Sequence, residues 1–374
     1  SFGRWTLIAL VVGNTIGAGV YTTSGFALAD LGSREWVLLA WMVGGLIALS
    51  GAISYGMLAE RLTESGGEFL YLSRSIHPFA GFIAGWVSLL AGFSGAIAFA
   101  ATTFEIYLQS AIPSLTALPT DSIAIASIGF AGLIHVIRVN TGSAIHNIIV
   151  GVMVLALVYL CVYAGVGLIG GSWSPSSPES YTSAFNLGAF ATTLVWISLS
   201  YSGFNAAVYV AGEVRDAKRN VPSAMIIGTI LIIVLYVAVN AILLYAPLPQ
   251  AIAGQAGITA IAAEALGGET LRKFIELMVA VSLLTSVTAM ILAGPRVYAK
   301  MADENALPRF FRFKQGSPPR AAILLQVFVA VAITLISELR DLLSYLGFTL
   351  SISLALTVFT LFVRHIRWDE RPAS

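Results

Sequence analysis

The run from Gly13 to Gly19, GNTIGAG, places three glycines inside an otherwise apolar segment, and its chemistry lies in the backbone. Glycine is unfavourable in the interior of a helix and readily adopts non-helical conformations, so Gly17-Ala18-Gly19 predicts a break between two half-helices. Backbone groups freed inside a membrane are tolerated where they face protein or a water-filled cavity, and half-helix ends near the midplane form substrate sites in secondary transporters. The stretch therefore predicts a binding site made of backbone groups.

A second interruption lies in the run from Ser200 to Asn205, SYSGFN, which puts polar residues and a glycine in the middle of another apolar segment. A short segment from Ala206 to Val214 follows it. One such interruption could equally be a set of small residues that let helices pack closely. Two interruptions at corresponding positions of two halves favour a midplane binding site.

The elements that would position these runs are membrane-spanning helices. Of the 374 residues, 57% are hydrophobic and only 10% are charged, whereas soluble domains carry roughly 25% charged residues. A span needs about 20 apolar residues, and this criterion gives ten candidates. The ten predicted spans are Trp5 to Ala29, Trp36 to Leu58, Phe79 to Leu108, Ser122 to Ile137, Ile145 to Leu168, Phe185 to Val210, Ala224 to Tyr245, Phe274 to Tyr298, Ala321 to Ser337 and Leu342 to Val363.

The basic residues predict the orientation of these spans. If the N-terminus is cytoplasmic, only four of the 20 Lys and Arg residues lie outside, namely Arg34, Arg272, Lys273 and Arg340. This bias predicts a multi-pass protein of the plasma (inner) membrane with both termini cytoplasmic. Two halves of five spans then cross in opposite directions, which predicts an inverted repeat. The predicted organisation is a first repeat at 1–168, an external connection at 169–184, an inverted second repeat at 185–364 and a cytoplasmic tail at 365–374.

Composition also excludes several kinds of function. A net charge of +1 gives no reason to expect nucleic acid as a partner, and the lipid bilayer is the expected surroundings. The four histidines do not pair with Cys, carboxylate or one another at helical spacing, so no metal site is predicted. A nucleophile, a base and an acid cannot be assembled into a catalytic group, so we expect neither an enzyme nor a bound cofactor. The oligomeric state is left open.

The positions of the acidic residues narrow the range of possible substrates. Only Glu105 and Glu276 fall inside predicted spans, each near the outer end, so no carboxylate is expected at the midplane. A permanently cationic substrate would be expected to meet a buried acid, and its absence favours a neutral, zwitterionic one. Glu105 is interpreted as an interfacial carboxylate that reaches water, or else as a proton-sensitive group. Glu213 belongs to a charged cluster with Arg215, Asp216, Lys218 and Arg219. This cluster could pair with Arg296 or Glu60 to close an inner gate, or it could be a solvated loop.

Four motifs together resemble a known family. The run from Gly13 to Val20 resembles the GN-x-x-G-S/A-G-I/V signature of the amino acid, polyamine and organocation transporter superfamily, and the run 203–222 looks like its sixth-span motif. The run 54–72 is similar to the family's loop after the second span, and the run 294–308 to the loop after the eighth. This resemblance implies a leucine-transporter-type fold with alternating access around a central site.

The resemblance also implies roles for individual residues. The substrate carboxylate would be held by the backbone of Gly17, Ala18 and Gly19, and the amino group by carbonyls of the sixth-span break. The first-span candidates are completed by Thr15 and Ile16. The sixth-span candidates are Leu199, Ser200, Ser202, Gly203, which gives the turn, and Asn205. Free N–H groups at the positive end of a half-helix favour an anion and free carbonyls a cation, which agrees with these roles.

Pocket size and coupling are predicted less directly. Helix facing points Gly92, Ala96 and Ala289 inward and leaves room for a medium or large apolar side chain. A sodium site would need carbonyls near Gly13 or Thr15 and the hydroxyls of Thr285 and Ser286, although such hydroxyls often bond to their own helix. Acidic and lysine residues that family members carry near Asn205 and Met153 are absent, so proton coupling through those positions is in doubt.

The sequence therefore predicts an ion-coupled symporter or exchanger of an amino acid. The alternatives are a channel-like conductor of a small ion or ammonium, which would need a more polar pore, and a transporter of an amine that is not an amino acid.

Overall fold

The computed structural model describes residues 3–63, 67–137, 143–176, 184–303, 307–312 and 319–363, without the side chains at 143–147, 150, 213, 296 and 300. Within these ranges every regular element is helical. The α-helices are α1 (Arg4–Thr15), α2 (Ala18–Leu31), α3 (Arg34–Arg61), α4 (Gly67–Ser75), α5 (Pro78–Val87), α6 (Ala96–Ala111), α7 (Ser122–Ile137), α8 (Ser143–Ile169), α9 (Leu187–Ser200), α10 (Ala217–Tyr245), α11 (Pro249–Ile252), α12 (Ile258–Asp303), α13 (Arg320–Ile336) and α14 (Leu339–Phe359). A π-helix, Ser88–Gly95, joins α5 to α6, and 3-10 helices occupy Pro113–Ala117, Phe204–Glu213, Arg309–Phe311 and Thr360–Phe362.

Several of these helices are suited to a membrane. Among the described residues, seven are long and apolar enough to cross one, and the bent pair α1 and α2 makes up to eight. The apolar helices α7 and α13 are shorter, at 16 and 17 residues. Large apolar side chains project outward, as at Ile169, which is 90% exposed. Each of the ten predicted spans coincides with helix, whereas the number that cross and the inverted repeat stay predictions.

The first span is broken, and the break lies one residue earlier than the glycine pattern predicted. Helix α1 ends at Thr15, Ile16 and Gly17 are extended, and helix α2 resumes at Ala18 with a bend of 41°. Ala18 and Gly19 are therefore helical and belong to the first turn of α2. The residues from Ala18 to Gly25 are all buried, so α2 lies inside the bundle along most of its length.

The helices on either side of the predicted connection pack against each other in pairs. Helix α3 contacts α10, α6 contacts α12 and α7 contacts α13. Helix α2 contacts α9, and α1 contacts the 3-10 helix Phe204–Glu213. One large apolar core runs through these contacts. The broken spans are thus held between pairs of unbroken helices.

Arg34 joins the beginning of α3 to the far end of α10. Its side chain is 1% exposed and donates to the Ser176 carbonyl at 2.7 Å, the Ser176 hydroxyl at 2.6 Å and the Pro247 carbonyl at 3.1 Å. Ser176 in turn donates to Tyr245 O from its N–H at 2.9 Å and to Pro247 O from its hydroxyl at 2.6 Å. The guanidinium lies 5.0 Å from the centre of the Tyr245 ring. This network fixes part of the predicted external connection to the end of α10.

Two connections differ from the sequence expectation. The predicted loop after the second span contains helix α4, which is packed against α5 and contacts α14. The segment from Pro247 to Glu269, whose Ala and Ile spacing predicts a short external helix, is divided between α11 and the beginning of α12, which bends where Gly267 and Gly268 leave helical geometry. The predicted tail at 365–374 lies outside the described residues.

Candidate functional site

The break in the first span leaves a helix N-terminus open. Gly17 precedes α2 and, as its N-cap, has no side chain to bond the first N–H groups of the helix. A β-carbon built on Gly17 would have no described heavy atom within 4 Å, and Gly17 itself is half-buried. Free N–H groups and the helix dipole together favour an anion at such a place. The backbone from Gly17 to Gly19 can therefore face a carboxylate.

The second break lies directly against the first. Helix α9 ends at Ser200, and Gly203 turns the chain into the 3-10 helix with a φ of 113°, in the left-handed region that favours glycine. A β-carbon on Gly203 would lie 2.6 Å from the Asn14 carbonyl oxygen and 2.9 Å from the Thr15 nitrogen. Only a residue without a side chain allows this approach. The two interruptions that the sequence suggested to be partners are in contact.

The half-helices α2 and α9 of the two broken spans are also joined. The hydroxyls of Thr23 and Ser200 are 3.0 Å apart and form a buried hydrogen bond. A β-carbon on Gly19 would lie 2.8 Å from Ser200 Cα, so Gly19 lets α2 approach α9 closely. Gly17 and Gly19 thus have different roles, one facing open space and the other a helix contact.

The carbonyl groups of the second break are partly occupied. The Leu199 carbonyl accepts hydrogen bonds from the Ser202 N–H at 3.0 Å and from the Ser202 hydroxyl at 2.7 Å. The Ser200 hydroxyl donates to Trp196 O at 3.3 Å besides its bond to Thr23. A ligand amine at Leu199 would therefore compete with Ser202 in this conformation.

A tyrosine that the sequence did not single out holds the end of α1. The hydroxyl of Tyr236, on α10, donates to the Thr15 carbonyl at 2.7 Å, so one carbonyl at the break is satisfied by a side chain. The Tyr236 ring lies edge-on to Trp41, 5.5 Å between centroids, and 5.2 Å from Tyr201. The Trp41 indole donates to Ser24 at 2.8 Å, and Ser24 donates to Asn240 at 2.5 Å. Helices α3 and α10 thus fix both α1 and α2 next to the break.

Replacing Tyr236 by phenylalanine is expected to destabilise the protein, because the buried Thr15 carbonyl loses its donor. Leaving a buried acceptor unsatisfied costs about 1–3 kcal/mol. Tyr298→Phe is the matched control, since the Tyr298 hydroxyl is fully buried and has no hydrogen-bond partner in the described ranges. We expect a lower thermal unfolding midpoint for Tyr236→Phe than for Tyr298→Phe in the same detergent. Equal midpoints would contradict a role for this hydrogen bond.

The predicted pocket-lining residues lie on helices that meet the core. Gly92 is in the π-helix Ser88–Gly95, where a β-carbon would be 3.8 Å from Leu350 of α14. Ala96 opens α6 and Ala289 lies in α12, and both are half-buried on two helices that pack together. The π-helix was not predicted, although such segments are frequent at functional sites.

The residues of the predicted sodium site are engaged elsewhere. Thr285 donates to Val281 O at 2.8 Å and Ser286 to Ser282 O at 3.1 Å, so both hydroxyls bond to their own helix. The Thr15 carbonyl accepts from Tyr236, and Gly13 is half-buried. Among the described residues there is no group of three or more His, Cys, Asp or Glu that could hold a metal. The sodium site stays a prediction.

The predicted inner gate is only partly visible. Glu60 is exposed on α3, whereas the side chains of Glu213 and Arg296 lie outside the description. Their pairing stays a prediction.

An ion pair lies at the C-terminal end of α2. Asp30 forms it with Arg340 of α14, and the Arg340 guanidinium lies 5.2 Å from the Trp196 ring centre. This pair links both broken spans to α14.

The acidic residues are more deeply buried than the sequence suggested. The interpretation of Glu105 as a carboxylate that reaches water is wrong, because it is 5% exposed and accepts from the N–H groups of Asp121 at 3.0 Å and Ala124 at 2.8 Å, at the start of α7. Glu276 is fully buried and accepts from Arg272 at 2.9 Å and Ser110 at 2.5 Å. Both carboxylates join helices to each other.

Glu68 is the acidic residue that the sequence analysis missed. It lies in α4, is 8% exposed, and its Oε1 is 2.6 Å from Asn205 Nδ2 beside the second break. The sequence placed it in a loop after the second span, and its only signal was a charge within an apolar run, GEFLYL.

The chain is similar to known proteins both in sequence and in fold. Residues 2–372 match the amino acid permease family. The chain is 26% identical to the large neutral amino acids transporter small subunit 2 of Homo sapiens, over 98% of this chain and 70% of that protein. It is 25% identical to the serine/threonine exchanger SteT of Bacillus subtilis (strain 168), over 98% of this chain and 84% of that protein.

A solved structure shares the fold. It is Mhp1, a nucleobase-cation-symport-1 family transporter, in a closed conformation with bromovinylhydantoin bound. The TM-score is 0.64 at 13% sequence identity, and the match covers 98% of this chain and 80% of that chain.

Proposed function

The chain belongs to the amino acid permease family, and we propose that it is a secondary active transporter that moves a neutral, zwitterionic amino acid by alternating access. Members of this family are transporters, so the protein is an integral, multi-pass membrane transporter and not an enzyme. The resemblance read from the four sequence motifs is confirmed by this match over nearly the whole chain.

The contact between the two broken spans carries the proposal. The open N-terminus of α2 at Gly17 offers N–H groups to a carboxylate, and the turn at Gly203 lies against the last residues of α1, which brings the second break next to the first. Backbone groups of opposite polarity at one place suit the two charged ends of an amino acid. We assign the carboxylate to Gly17, Ala18 and Gly19 and the amine to the second break from Leu199 to Gly203.

A neutral substrate fits the charges around this place. Glu68 reaches Asn205, but hydrogen bonds from protein groups occupy both of its oxygens. Three of its roughly four acceptor sites are therefore taken by protein groups in this conformation, which leaves little to offer a cationic side chain. The curated relatives include proteins named as transporters of large neutral amino acids and as a serine/threonine exchanger, which supports the same class of substrate.

The packing of the helices supports two related halves. In the predicted numbering of spans, α3 and α10 are the second and seventh, α6 and α12 the third and eighth, and α7 and α13 the fourth and ninth. Each span in these three pairs therefore packs on the span five positions later, which is its counterpart in the proposed second repeat. We propose repeats at 1–168 and 185–364, joined by the connection at 169–184. We also propose that the protein lies in the plasma membrane with both termini in the cytoplasm.

Under this proposal, the ion pair of Asp30 and Arg340 closes the external side. It joins α2 to α14 and lies beside Trp196 of α9, so both broken spans contribute to the closure. Opening to the outside would separate these groups and expose α2. Sodium, protons or a counter-transported amino acid would bias this equilibrium; Thr285 and Ser286 remain the proposed sodium ligands with the carbonyls near Gly13.

Reconstitution tests the function and its coupling together. Purified protein in liposomes is expected to take up a radiolabelled neutral amino acid, with an excess of unlabelled substrate abolishing the signal. The same vesicles, run with a sodium gradient, with a proton gradient and with internal amino acid, identify the driving force. Protein-free vesicles are the control. An absence of uptake under all three conditions would contradict the proposal, as would unitary currents, which belong to the channel alternative.

Thermal unfolding identifies the substrate more rapidly. A ligand at about 100 times its Kd stabilises a folded protein by about 2.7 kcal/mol, so one member of the twenty amino acids is expected to raise the midpoint clearly. Comparing the midpoints with large and with small neutral amino acids tests how much space Gly92, Ala96 and Ala289 leave for the substrate side chain. A midpoint raised only by arginine or a polyamine would contradict the neutral substrate.

A further inference from the structure

Glu68 is buried between three elements, and the substrate site proposed above does not use its carboxylate directly. Its Oε1 accepts from the Tyr55 hydroxyl of α3 at 2.9 Å and from Asn205 Nδ2 at 2.6 Å. Its Oε2 accepts from the Tyr209 hydroxyl at 2.5 Å. Asn205 and Tyr209 both belong to the 3-10 helix Phe204–Glu213. One carboxylate thus ties α3 and α4 to the segment that follows the second break.

The surrounding packing is shaped for this contact. Gly67 precedes Glu68, and a β-carbon there would collide with Cε1 of the Tyr209 ring. The Tyr55 ring is edge-on to Phe204, the first residue of the 3-10 helix, at 5.8 Å, and to Tyr71 of α4 at 6.0 Å. The Phe204 ring also occupies the space that a side chain at Gly51 of α3 would need. The 3-10 helix is therefore docked against α3 and α4 by both packing and hydrogen bonds.

The chemistry of the donors makes this contact depend on the carboxylate oxygens of Glu68. Two phenol hydroxyls and one amide donate to them. Removing the carboxylate would leave these donors buried without their acceptor. Separating the 3-10 helix from α4 would have the same consequence, because the donors of Asn205 and Tyr209 leave with it.

We propose that Glu68 is a positioning residue that holds the 3-10 helix against α3 and α4, and that the second break opens only when the hydrogen bonds to Glu68 are released. This inference rests on the proposed transport function, because it assigns to Glu68 the control of one of the two movements that alternating access requires. Glu68 acts through Asn205 and Tyr209. It does not touch the substrate.

Cysteine accessibility tests the proposal without requiring transport. In a Cys161→Ser background, an Ala207→Cys substitution places a reporter on the 3-10 helix at a position that is fully buried. The rate of modification by a small maleimide in detergent then reports how often this helix leaves its docked position. A second reporter, Ala131→Cys, lies fully buried in α7, away from the 3-10 helix.

The variants form a graded series with a matched pair. Glu68→Ala removes the acceptor and is expected to raise labelling of the Ala207→Cys reporter by about tenfold, which corresponds to about 1.4 kcal/mol. Glu68→Gln keeps the shape and one acceptor oxygen but replaces the second oxygen with an NH2 donor, so it is expected to restore only part of the protection. Tyr209→Phe deletes a donor to Glu68 and is expected to raise labelling. Tyr71→Phe is its matched control, because the Tyr71 hydroxyl is buried without a partner among the described residues.

The outcomes separate the possible explanations. Faster labelling at Ala207→Cys alone, in Glu68→Ala and Tyr209→Phe but not in Tyr71→Phe, supports the proposal. Equal acceleration at the Ala131→Cys reporter would mean general destabilisation and would overturn it. Unchanged labelling in Glu68→Ala would overturn it as well. If the parent protein labels as expected but takes up no amino acid, the transport function fails while the contact made by Glu68 is still tested.

Discussion

Replacing Gly203 by alanine is expected to abolish amino acid transport, with the chain still inserted in the membrane. The φ of 113° at this position is one that residues with a side chain rarely adopt, and such strain costs about 1–3 kcal/mol. The new methyl group would also lie 2.6 Å from the Asn14 carbonyl oxygen and 2.7 Å from its carbon, so the two breaks would have to separate. Backbone atoms, unlike a flexible side chain, cannot turn away from this collision.

Uptake into proteoliposomes and thermal unfolding of the same preparation measure this effect. Gly165→Ala is the matched control, because Gly165 lies in α8 and a β-carbon there has no described heavy atom within 4 Å. That control is expected to transport as the parent does. Normal uptake by Gly203→Ala would mean that the contact between the breaks is not required, and the proposed site would lose its main support.

Gly17 and Gly19 are expected to respond differently to the same substitution, one in substrate affinity and the other in stability, although the sequence suggested one role for both. Gly19→Ala places a methyl group 2.8 Å from Ser200 Cα, so α2 must move away from α9; overpacking of this kind typically costs about 1–3 kcal/mol. Gly17→Ala meets open space at a φ of −140°, which any residue can adopt, so the fold should be unaffected. Its methyl group would instead occupy the place proposed for the substrate carboxylate.

The expected result is a split between stability and affinity. Gly19→Ala should lower the unfolding midpoint and reduce transport, whereas Gly17→Ala should keep the midpoint and raise the KM for the substrate. Gly17→Leu should remove binding completely by filling the same space. An unchanged KM in both Gly17 variants would contradict the assignment of the carboxylate to this half-helix end.

The sequence predicted the parts of the fold that depend on local patterns. Helix α7 has the predicted bounds, Ser122 to Ile137, because an apolar run between polar ends is sufficient to define it. The two interruptions were predicted as partners from their positions, and their residues are in contact. The break begins at Ile16 and not at Gly17, since a glycine permits non-helical geometry without fixing the residue at which it starts.

The parts that failed depend on contacts between distant segments. Tyr236 is 221 residues from its partner Thr15, and Glu68 is 137 residues from Asn205, so hydropathy along the chain carries no record of either pair. Glu105 lies in the predicted third span, but it is buried and does not reach water, because it accepts from backbone N–H groups at the start of α7. Apolar windows find helices that face lipid. They do not find a nine-residue helix such as α4, in which the buried Glu68 accepts from neutral donors.

The buried guanidinium of Arg34 implies an order of assembly. Arg34 belongs to the first helices to be made, yet its acceptors are Ser176 and Pro247, and Ser176 is itself held by the last residues of α10. Until α10 has been synthesised and inserted, this cation lacks the Pro247 carbonyl, and Ser176 lacks the Tyr245 and Pro247 carbonyls to which it donates. The early helices therefore reach their final packing only after the seventh predicted span arrives, which makes the completed bundle, and not its first half, the unit that folds.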